Sequence, residues 1–262
     1  MRPVLSFSVR PARLFAVLCG IILVIVVFSV TGQYAAKMLG HGRLLGFVHA
    51  FNVDAEGNVP AHFSALMLLT ASILAGLIAR QVRRTEAPFY GHWVGLCLIF
   101  AVLAADELNS FHERLVHPFR ELLDADGLLY FTWVVPGMAF VGLFALAYTR
   151  FLWHLPRRWK ALFTVSGVTF VAGALGVELI GGWYMSGYDR AVFVDFVAFI
   201  YALITTLEES LEMVGAATFL YALLDYLRVQ VGTVALTLTA DEPVRDAAPP
   251  RPARRTPAET VA

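Results

Sequence analysis

The chain has 262 residues, of which 58% are hydrophobic and 15% charged, and its formal net charge at pH 7 is zero. Ordinary soluble domains carry about 25% charged residues, so this composition excludes a typical soluble domain and predicts a membrane protein with several spans. The zero net charge gives no basis for nucleic-acid binding, and the two cysteines, which lack a CxxC pattern, exclude a disulfide framework and a thiolate zinc site.

Six apolar runs are long enough to cross a membrane as helices, for which about 20 residues are needed. They predict an all-α, polytopic transmembrane bundle with six spans, near residues 14–32, 60–80, 92–113, 127–152, 160–183 and 200–227. The first run follows several Arg residues, as in a signal peptide, but its length favours an anchor that is not cleaved. We expect a transmembrane domain over 14–228, a short N-terminal segment over 1–13 and a disordered tail over 229–262.

The Lys and Arg residues give the orientation of these spans. With both termini in the cytoplasm, 15 of the 20 Lys and Arg residues fall on the cytoplasmic side and 5 on the other. Cytoplasmic loops carry an excess of these residues, so the sequence predicts six spans with the N- and C-termini inside. We expect a multi-pass protein of the bacterial plasma (inner) membrane, with the lipid bilayer as its partner. The sequence identifies no protein partner.

The loop before the second predicted span carries Asp54, Glu56 and Asn58 around a glycine. Alternating carboxylates and amides supply the oxygen ligands that Ca²⁺ prefers, although the loop lacks a full EF-hand pattern. Asn58 is also a favourable helix cap, and Pro60 is typical of a first helical turn. Both interpretations, an outer-loop cation site and a helix cap, stay open from the sequence.

The third predicted span ends in the segment 106–113, which reads DELNSFHE. In a continuous helix its first, fourth, fifth and eighth residues would share an arc of roughly 100°. A face of this polarity belongs in a bundle interior or an aqueous cavity; the alternative is a helix end that reaches the lipid headgroups. We predict Asp106, His112 and Glu113 as metal ligands, and Glu107 as a general acid or base.

The fifth and sixth predicted spans carry the other acids within apolar sequence. Glu208 and Glu212 are four residues apart and share a helix face, where two like charges repel. No Lys or Arg occupies the apolar sequence beside these acids, and an ionised carboxylate in hydrocarbon costs at least about 2.5–3.5 kcal/mol. Such groups must be protonated, paired or bound to a cation. We predict Glu178, Glu208 and Glu212 as metal ligands, with Glu209 as a second candidate acid or base.

Small residues predict a close contact between the fifth and sixth spans beside Glu178. Those on the fifth span are Gly167, Val171, Ala174 and Gly181, and those on the sixth are Gly215, Ala216 and Ala217. With the predicted topology, every unusual acid lies toward the outer side of the membrane. The sequence therefore predicts one outward-facing cluster rather than scattered membrane carboxylates.

The residue types narrow the chemistry of this cluster. Carboxylates with one histidine suit Fe, Mn or Zn, whereas an all-oxygen set suits Ca or Mg. The Glu-x-x-His pairs of a diiron bundle are absent, as are the HExxH and GxSxG motifs of zinc proteases and serine hydrolases. We expect a divalent metal ion as the cofactor, and the sequence leaves its identity open.

Three motifs carry a resemblance to other sequences. Asp54 to Pro60 reads D-x-E-x-N-x-P, Asp106 to Glu113 reads D-E-x4-H-E, and Glu208 to Gly215 reads E-E-x2-E-M-x-G. In these motifs the chain resembles a group of uncharacterised bacterial six-span integral membrane proteins, over most of residues 14–228. This resemblance implies the architecture and brings no activity.

The chain also resembles, in part, the alkaline-ceramidase-like membrane hydrolases. The loop with Asp54, Glu56 and Asn58 is similar to their calcium loop, and the Asp-Glu-Leu that begins at Asp106 is similar to their zinc-site motif. That resemblance implies a zinc amidohydrolase. The chain departs from the family where Glu208 and Glu212 stand at the spacing of its late histidine pair, and where six spans replace seven.

The sequence leaves three functions open. The first is a membrane-embedded, metal-dependent enzyme that acts on a lipid or lipid-linked substrate, and the second is a cation- or proton-coupled transporter that uses the same acids. The third is a structural or sensory membrane subunit without catalysis. A carrier needs a polar route to the cytoplasm, whereas the inner halves of spans three, five and six are almost free of ionisable groups. That distribution favours a one-sided site.

Overall fold

A computed structural model of the chain describes residues 10–42, 44–123, 125–188 and 195–231. These residues form helices and turns and contain no β-strand, which confirms the predicted all-α class. The expected N-terminal segment up to residue 9 and the expected tail from residue 232 lie outside the described residues.

Five helices are long and apolar enough to cross a membrane by length and composition. They are α1 (Pro11–Met38), α3 (Val59–Arg84), α4 (Tyr90–Asn109), α6 (Val134–His154) and the continuous rod Arg157–Ser186. The rod consists of α7 (Arg157–Val171), a π-helical turn over Ala172–Val177 and α8 (Glu178–Ser186). A protein with these helices fits a membrane environment.

Three further helices connect or complete the bundle: α2 (Phe47–Phe51), α5 (Phe111–Leu123) and α9 (Asp195–Tyr226). Short 3₁₀ turns cover Leu44–Gly46 and Gly127–Leu129, and a second π-helical turn, Leu227–Val231, follows α9. The sequence placed the last span at 200–227 with its glutamates in the outer half. Because α9 already begins at Asp195 among the described residues, these glutamates lie at its centre.

Large apolar side chains on several helices point away from the bundle, as expected for contact with lipid. Examples are Val24 on α1, Leu98 on α4, Leu143 and Leu146 on α6, and Val168 on α7. The buried core lies between α3, α4, α7 and α9, with Trp93, Leu68, Ile78, Met213 and Leu223 among its most enclosed side chains. The helix α9 packs against α1, α3 and α7 and is central to the bundle.

Glycines allow α7 and α9 to approach closely. A Cβ atom at Gly215 would lie 2.8 Å from the Cβ of Phe170, and one at Gly173 would lie 2.7 Å from the carbonyl oxygen of Glu208. The contact between the fifth and sixth predicted spans is therefore present, and the sequence identified Gly215 but not Gly173. Gly167, which we expected at this contact, has no atom within 4 Å of a Cβ built on it.

The helix that we expected to continue from Asp106 through Glu113 is interrupted. Ser110 adopts a left-handed conformation (φ 48°), α4 ends at Asn109, and α5 begins at Phe111. The side chain of Asp106 accepts the backbone N–H of His112 at 2.9 Å, which satisfies a donor at the start of α5. The arc predicted for a continuous helix is therefore wrong, because this side-chain bond helps to start a new helix.

Candidate functional site

A cavity of about 620 Å³ lies within the helical bundle. Side chains of α3, α4, α6, α7, α8 and α9 line it, together with the loop before α3 and the start of α5. This volume lies within the range of about 300–1,000 Å³ that is usual for small-molecule sites. One end of the cavity is acidic and the other is apolar.

Eight carboxylates line the acidic end, and we call them the carboxylate cluster: Asp54, Glu56, Asp106, Glu107, Glu178, Glu208, Glu209 and Glu212. They come from the loop before α3, from α4, from α8 and from α9, which are far apart in sequence. Among the lining residues, Arg120 and His112 are the basic ones. The structure thus brings together the acids that the sequence singled out, apart from Glu113, whose side chain lies outside the described residues.

The break between α4 and α5 turns His112 back onto Asp106. The His112 Nδ1 atom lies 2.8 Å from Asp106 Oδ2, while the other Asp106 oxygen accepts the His112 backbone N–H. A proton on Nδ1 satisfies this contact and places the acceptor lone pair of the imidazole on Nε2. Histidine ligands of metals are usually held by a carboxylate in this way.

Trp133 connects this pair to the other side of the cavity. Its indole N–H donates to Glu178 Oε1 at 2.7 Å, and its ring centroid lies 4.8 Å from that of His112. Glu178 is the first residue after the π-helical turn, where the extra residue changes the direction in which the following side chains point. Asp106, His112, Trp133 and Glu178 therefore form a continuous set of contacts across the cavity.

The three glutamates of α9 meet acids from the other helices. Glu208 is hydrogen-bonded to Glu178, and Glu212 interacts electrostatically with Glu107, Glu178 and Asp106. Two carboxyl groups form a hydrogen bond only if a proton lies between them. A shared proton, or a cation in its place, would relieve the repulsion between these carboxylates.

In the loop before α3, the structure separates Asn58 from the two acids. The Asn58 side chain accepts the Ala61 backbone N–H at 3.2 Å and donates to the carbonyl oxygen of Asn52 at 2.6 Å. These bonds make it the N-cap of α3, which was one of the two open interpretations. Asp54 and Glu56 instead line the cavity.

The arrangement does not contain a ready-made metal site. Within the residues that the structure describes, no group of three or more His, Cys, Asp or Glu side chains is placed so that it could hold a metal ion. Rotation of the carboxylate side chains would be needed to bring three of them onto one ion. The donor types, carboxylate oxygen and imidazole nitrogen, are those that Fe, Mn and Zn accept.

The other end of the cavity is formed by aromatic side chains, which we call the aromatic compartment: Phe100, Phe144, Tyr148, Phe151, Phe163 and Phe219. Ring centroids lie 4.5 Å apart for Phe100 and Phe219, and 4.2 Å apart for Phe144 and Tyr148. The Tyr148 hydroxyl donates to the carbonyl oxygen of His92 at 2.9 Å. Its polar atom is thereby bonded to the protein, and the compartment presents an apolar surface.

Another acidic side chain is buried near the end of α9, outside the cavity. Asp225, which is 1% exposed, is bound by Arg158 at 2.9 Å, by Arg228 at 3.0 Å and by the Trp159 indole N–H at 3.2 Å. We call this group the Asp225 clamp. It joins the start of α7 to the end of α9. Sequence reasoning missed it, although Arg228 follows Asp225 by three residues, a spacing that brings two side chains together on a helix.

A family model matches residues 11–227 of the chain, and its description is a domain of unknown function. The chain belongs to this family, DUF8692. No curated protein and no solved structure shows a significant similarity to the chain.

The DUF8692 match begins at the start of α1 and ends directly after α9. It therefore contains every residue that lines the cavity, and all of the Asp225 clamp except Arg228, which directly follows the match. The structure adds three cavity residues that sequence reasoning did not select: Trp133, Arg120 and Tyr201. Trp and Tyr are common at membrane interfaces, so their presence in the sequence gave no signal of a site.

Proposed function

We propose that the protein is a membrane-embedded, metal-dependent enzyme that acts on a lipid or lipid-linked substrate. In this proposal α9 is the sixth span, both termini are cytoplasmic, and the carboxylate cluster opens to the outer face of a bacterial inner membrane. The cluster would bind a divalent metal ion, and the apolar part of the cavity would take the apolar part of the substrate.

One observation carries the proposal: eight carboxylates line one cavity whose opposite end is aromatic. Carboxylates that only stabilise a fold are usually paired with Arg or Lys. Among the described residues, no Lys or Arg forms an ion pair with Glu107, Glu208, Glu209 or Glu212. A cation brought by a ligand or taken from solution would supply the missing positive charge.

The contacts also support roles for individual residues. Glu178, Glu208 and Glu212, with Glu113, would be metal ligands, and His112 would bind through Nε2. Asp106, which holds His112 at 2.8 Å, would orient this histidine and could add an oxygen ligand of its own. Glu107 or Glu209 would act as general acid or base, because each lies in the cavity next to the proposed ligands.

A cation- or proton-coupled transporter is the second candidate, and the hydrogen bond between Glu178 and Glu208 favours it. A proton held between two carboxyl groups can be exchanged for a cation, which is the elementary event in coupled transport. Against this candidate, the cavity ends in the aromatic compartment, and no charged residue lines that end. An ion would have no polar route past these rings.

Elemental analysis of the purified full-length protein tests the proposed enzyme. We expect near-stoichiometric divalent metal in the wild type. In the double variant Glu208→Gln/Glu212→Gln, affinity should fall by about a hundredfold or more, since outer partners of metal ligands alone contribute 10–100-fold. Glu86→Gln makes the same substitution once, at an exposed position outside the cavity, and serves as the control.

Metal-free wild-type protein that is folded and monodisperse would contradict the metal-dependent enzyme. Equal metal content in the double variant and the Glu86→Gln control would contradict the assignment of the ligands. Proteoliposomes separate the second candidate: proton or cation flux that is lost in Glu208→Gln supports a transporter, and no flux under either gradient contradicts it.

A further inference from the structure

The cavity extends along much of α9. Its lining on α9 extends from Tyr201 to Phe219, which is 18 residues, or about 27 Å at a rise of 1.5 Å per residue. This length approaches the thickness of the hydrocarbon layer of a bilayer.

Beyond Glu212, the cavity offers no polar group to a ligand. The polar side chains that line this part are Ser166 and Tyr148, and both donate to backbone carbonyl oxygens, of Phe163 at 3.0 Å and of His92 at 2.9 Å. All other lining residues there are glycine, alanine or large apolar and aromatic residues. A ligand in the aromatic compartment must therefore be hydrocarbon, because an unpaired polar group would lose its hydrogen bonds to water.

The helices α6 and α7 form one wall of the cavity. These helices are joined by the short turn at residues 155–156 at one end, and Gly137 lies close to Leu175 near the other. Between these contacts, Phe140 lines the cavity and is nevertheless 51% exposed. Gly167, on α7, also lines the cavity and is exposed, and a Cβ built there would meet no atom within 4 Å.

From this geometry we infer that the aromatic compartment binds one hydrocarbon chain of a bilayer lipid, which enters sideways between α6 and α7 past Phe140 and Gly167. The inference rests on the proposed function in placing the polar end of that lipid at the carboxylate cluster. A chain that lies along α9 from Gly215 to Phe219 would contact Phe170, Phe163 and Phe100.

A substitution at Gly167 tests the proposed entry between α6 and α7 most directly. In Gly167→Trp the new side chain meets no neighbour at its Cβ and should fill this entry without disturbing the fold. Gly142→Trp, on α6, is the matched control, because Gly142 is exposed, lies outside the cavity lining and likewise has no atom within 4 Å of a Cβ. Both variants add the same bulk within the apolar part of the bundle.

The probe is a phosphatidylglycerol that carries a diazirine in the middle of one acyl chain, incorporated into phosphatidylglycerol and phosphatidylethanolamine vesicles that contain the full-length protein. After illumination, the modified residues are located by mass spectrometry. We expect adducts on compartment residues such as Phe144, Phe163 and Phe219. Gly167→Trp should reduce these adducts by about tenfold, the factor expected when a well-packed site is overfilled, whereas Gly142→Trp should leave them unchanged.

Adducts that occur only on outward-facing residues such as Leu143, Leu146 and Val168 would overturn the inference. Compartment adducts that are equal in Gly167→Trp and Gly142→Trp would overturn the entry between α6 and α7. Metal content, measured on the same preparations, separates the two proposals. Bound metal without compartment adducts contradicts the chain site alone, and compartment adducts in metal-free protein contradict the proposed enzyme alone.

Discussion

The Asp225 clamp and the carboxylate cluster both place acidic side chains among apolar helices, but the groups around these acids differ. Asp225 is a single carboxylate that receives two guanidinium groups and an indole N–H. The cluster has eight carboxylates, and the basic residues that line its cavity are Arg120 and His112. Arg120 already donates to the carbonyl oxygen of Tyr130 at 2.6 Å and lies over the Tyr130 ring.

The two regions differ in the source of the positive charge that balances their acids. Where the fold needs two helix ends held together, the chain supplies the positive charge itself, through Arg158 on α7 and Arg228 after α9. At the cluster, no Lys or Arg among the described residues forms an ion pair with Glu107, Glu208, Glu209 or Glu212. An uncompensated buried charge is unfavourable for stability, and the proposed binding of a cation would account for these four glutamates.

Asp225→Asn tests the structural side of this contrast and has the largest expected effect on stability. The variant keeps the size of the side chain but weakens three hydrogen bonds that involve a charged group. We expect it to lower the free energy of unfolding by about 1.5–3 kcal/mol, the usual contribution of hydrogen bonds to charged groups. Thermal unfolding of the purified protein in detergent, in the absence of added metal, measures the change.

Glu208→Gln is the counterpart in the cluster under the same conditions. Because Glu208 has acids rather than Lys or Arg as its neighbours, the substitution should leave stability unchanged or raise it. A loss in Glu208→Gln as large as that in Asp225→Asn would remove the distinction between the two regions.

Asp106→Asn sharpens the comparison within the cluster. Asparagine is about the same size as aspartate and can still accept hydrogen bonds. The substitution removes the negative charge that holds the His112 imidazole, whose Nδ1 lies 2.8 Å from Asp106 Oδ2. If Asp106 acts mainly through His112, metal affinity should fall by about 10–100-fold. Titration with Mn²⁺ or Zn²⁺ gives the affinity, and His112→Ala in the same titration provides the reference. An unchanged affinity in Asp106→Asn would exclude this positioning role.

Arg228→Gln should have the smallest effect. Arg228 is largely exposed and lies three residues after Asp225, so the pair is partly screened by solvent and Asp225 retains Arg158 and Trp159. We expect a loss of about 0.2–1 kcal/mol, as for exposed ion pairs. Arg158→Gln, which leaves the Trp159 indole N–H as the contact between Asp225 and α7, should cost more. The reverse order in thermal unfolding would mean that the clamp does not join the two helix ends as described.

Much of the candidate site could be predicted from residue type alone. An acid inside an apolar run is costly wherever it points, so Asp106, Glu178 and Glu208 could be selected without knowledge of the packing. The close contact of the fifth and sixth spans followed from their small residues, and Gly215 meets Phe170 there. The all-α class followed from the length of the apolar runs.

Features that depend on local backbone competition could not be predicted. At the helix break near Ser110, the Asp106 side chain accepts a hydrogen bond from the His112 N–H. The same residues are also compatible with a continuous helix. Gly167 and Gly173 are both glycines on the fifth span, but one borders the cavity and the other touches the backbone of α9. Only the positions of neighbouring helices distinguish them.

The π-helical turn at Ala172–Val177 makes the site sensitive to a change in chain length rather than in side-chain chemistry. Such a turn amounts to one residue inserted into an α-helix. A deletion of one residue within it would restore a regular helix and rotate everything that follows by about 100° relative to α7. Glu178 would then turn away from Glu208 and Trp133 although no cavity residue had been substituted. In any chain with this fold, the number of residues between Gly173 and Glu178 is therefore as important for the site as the carboxylates themselves.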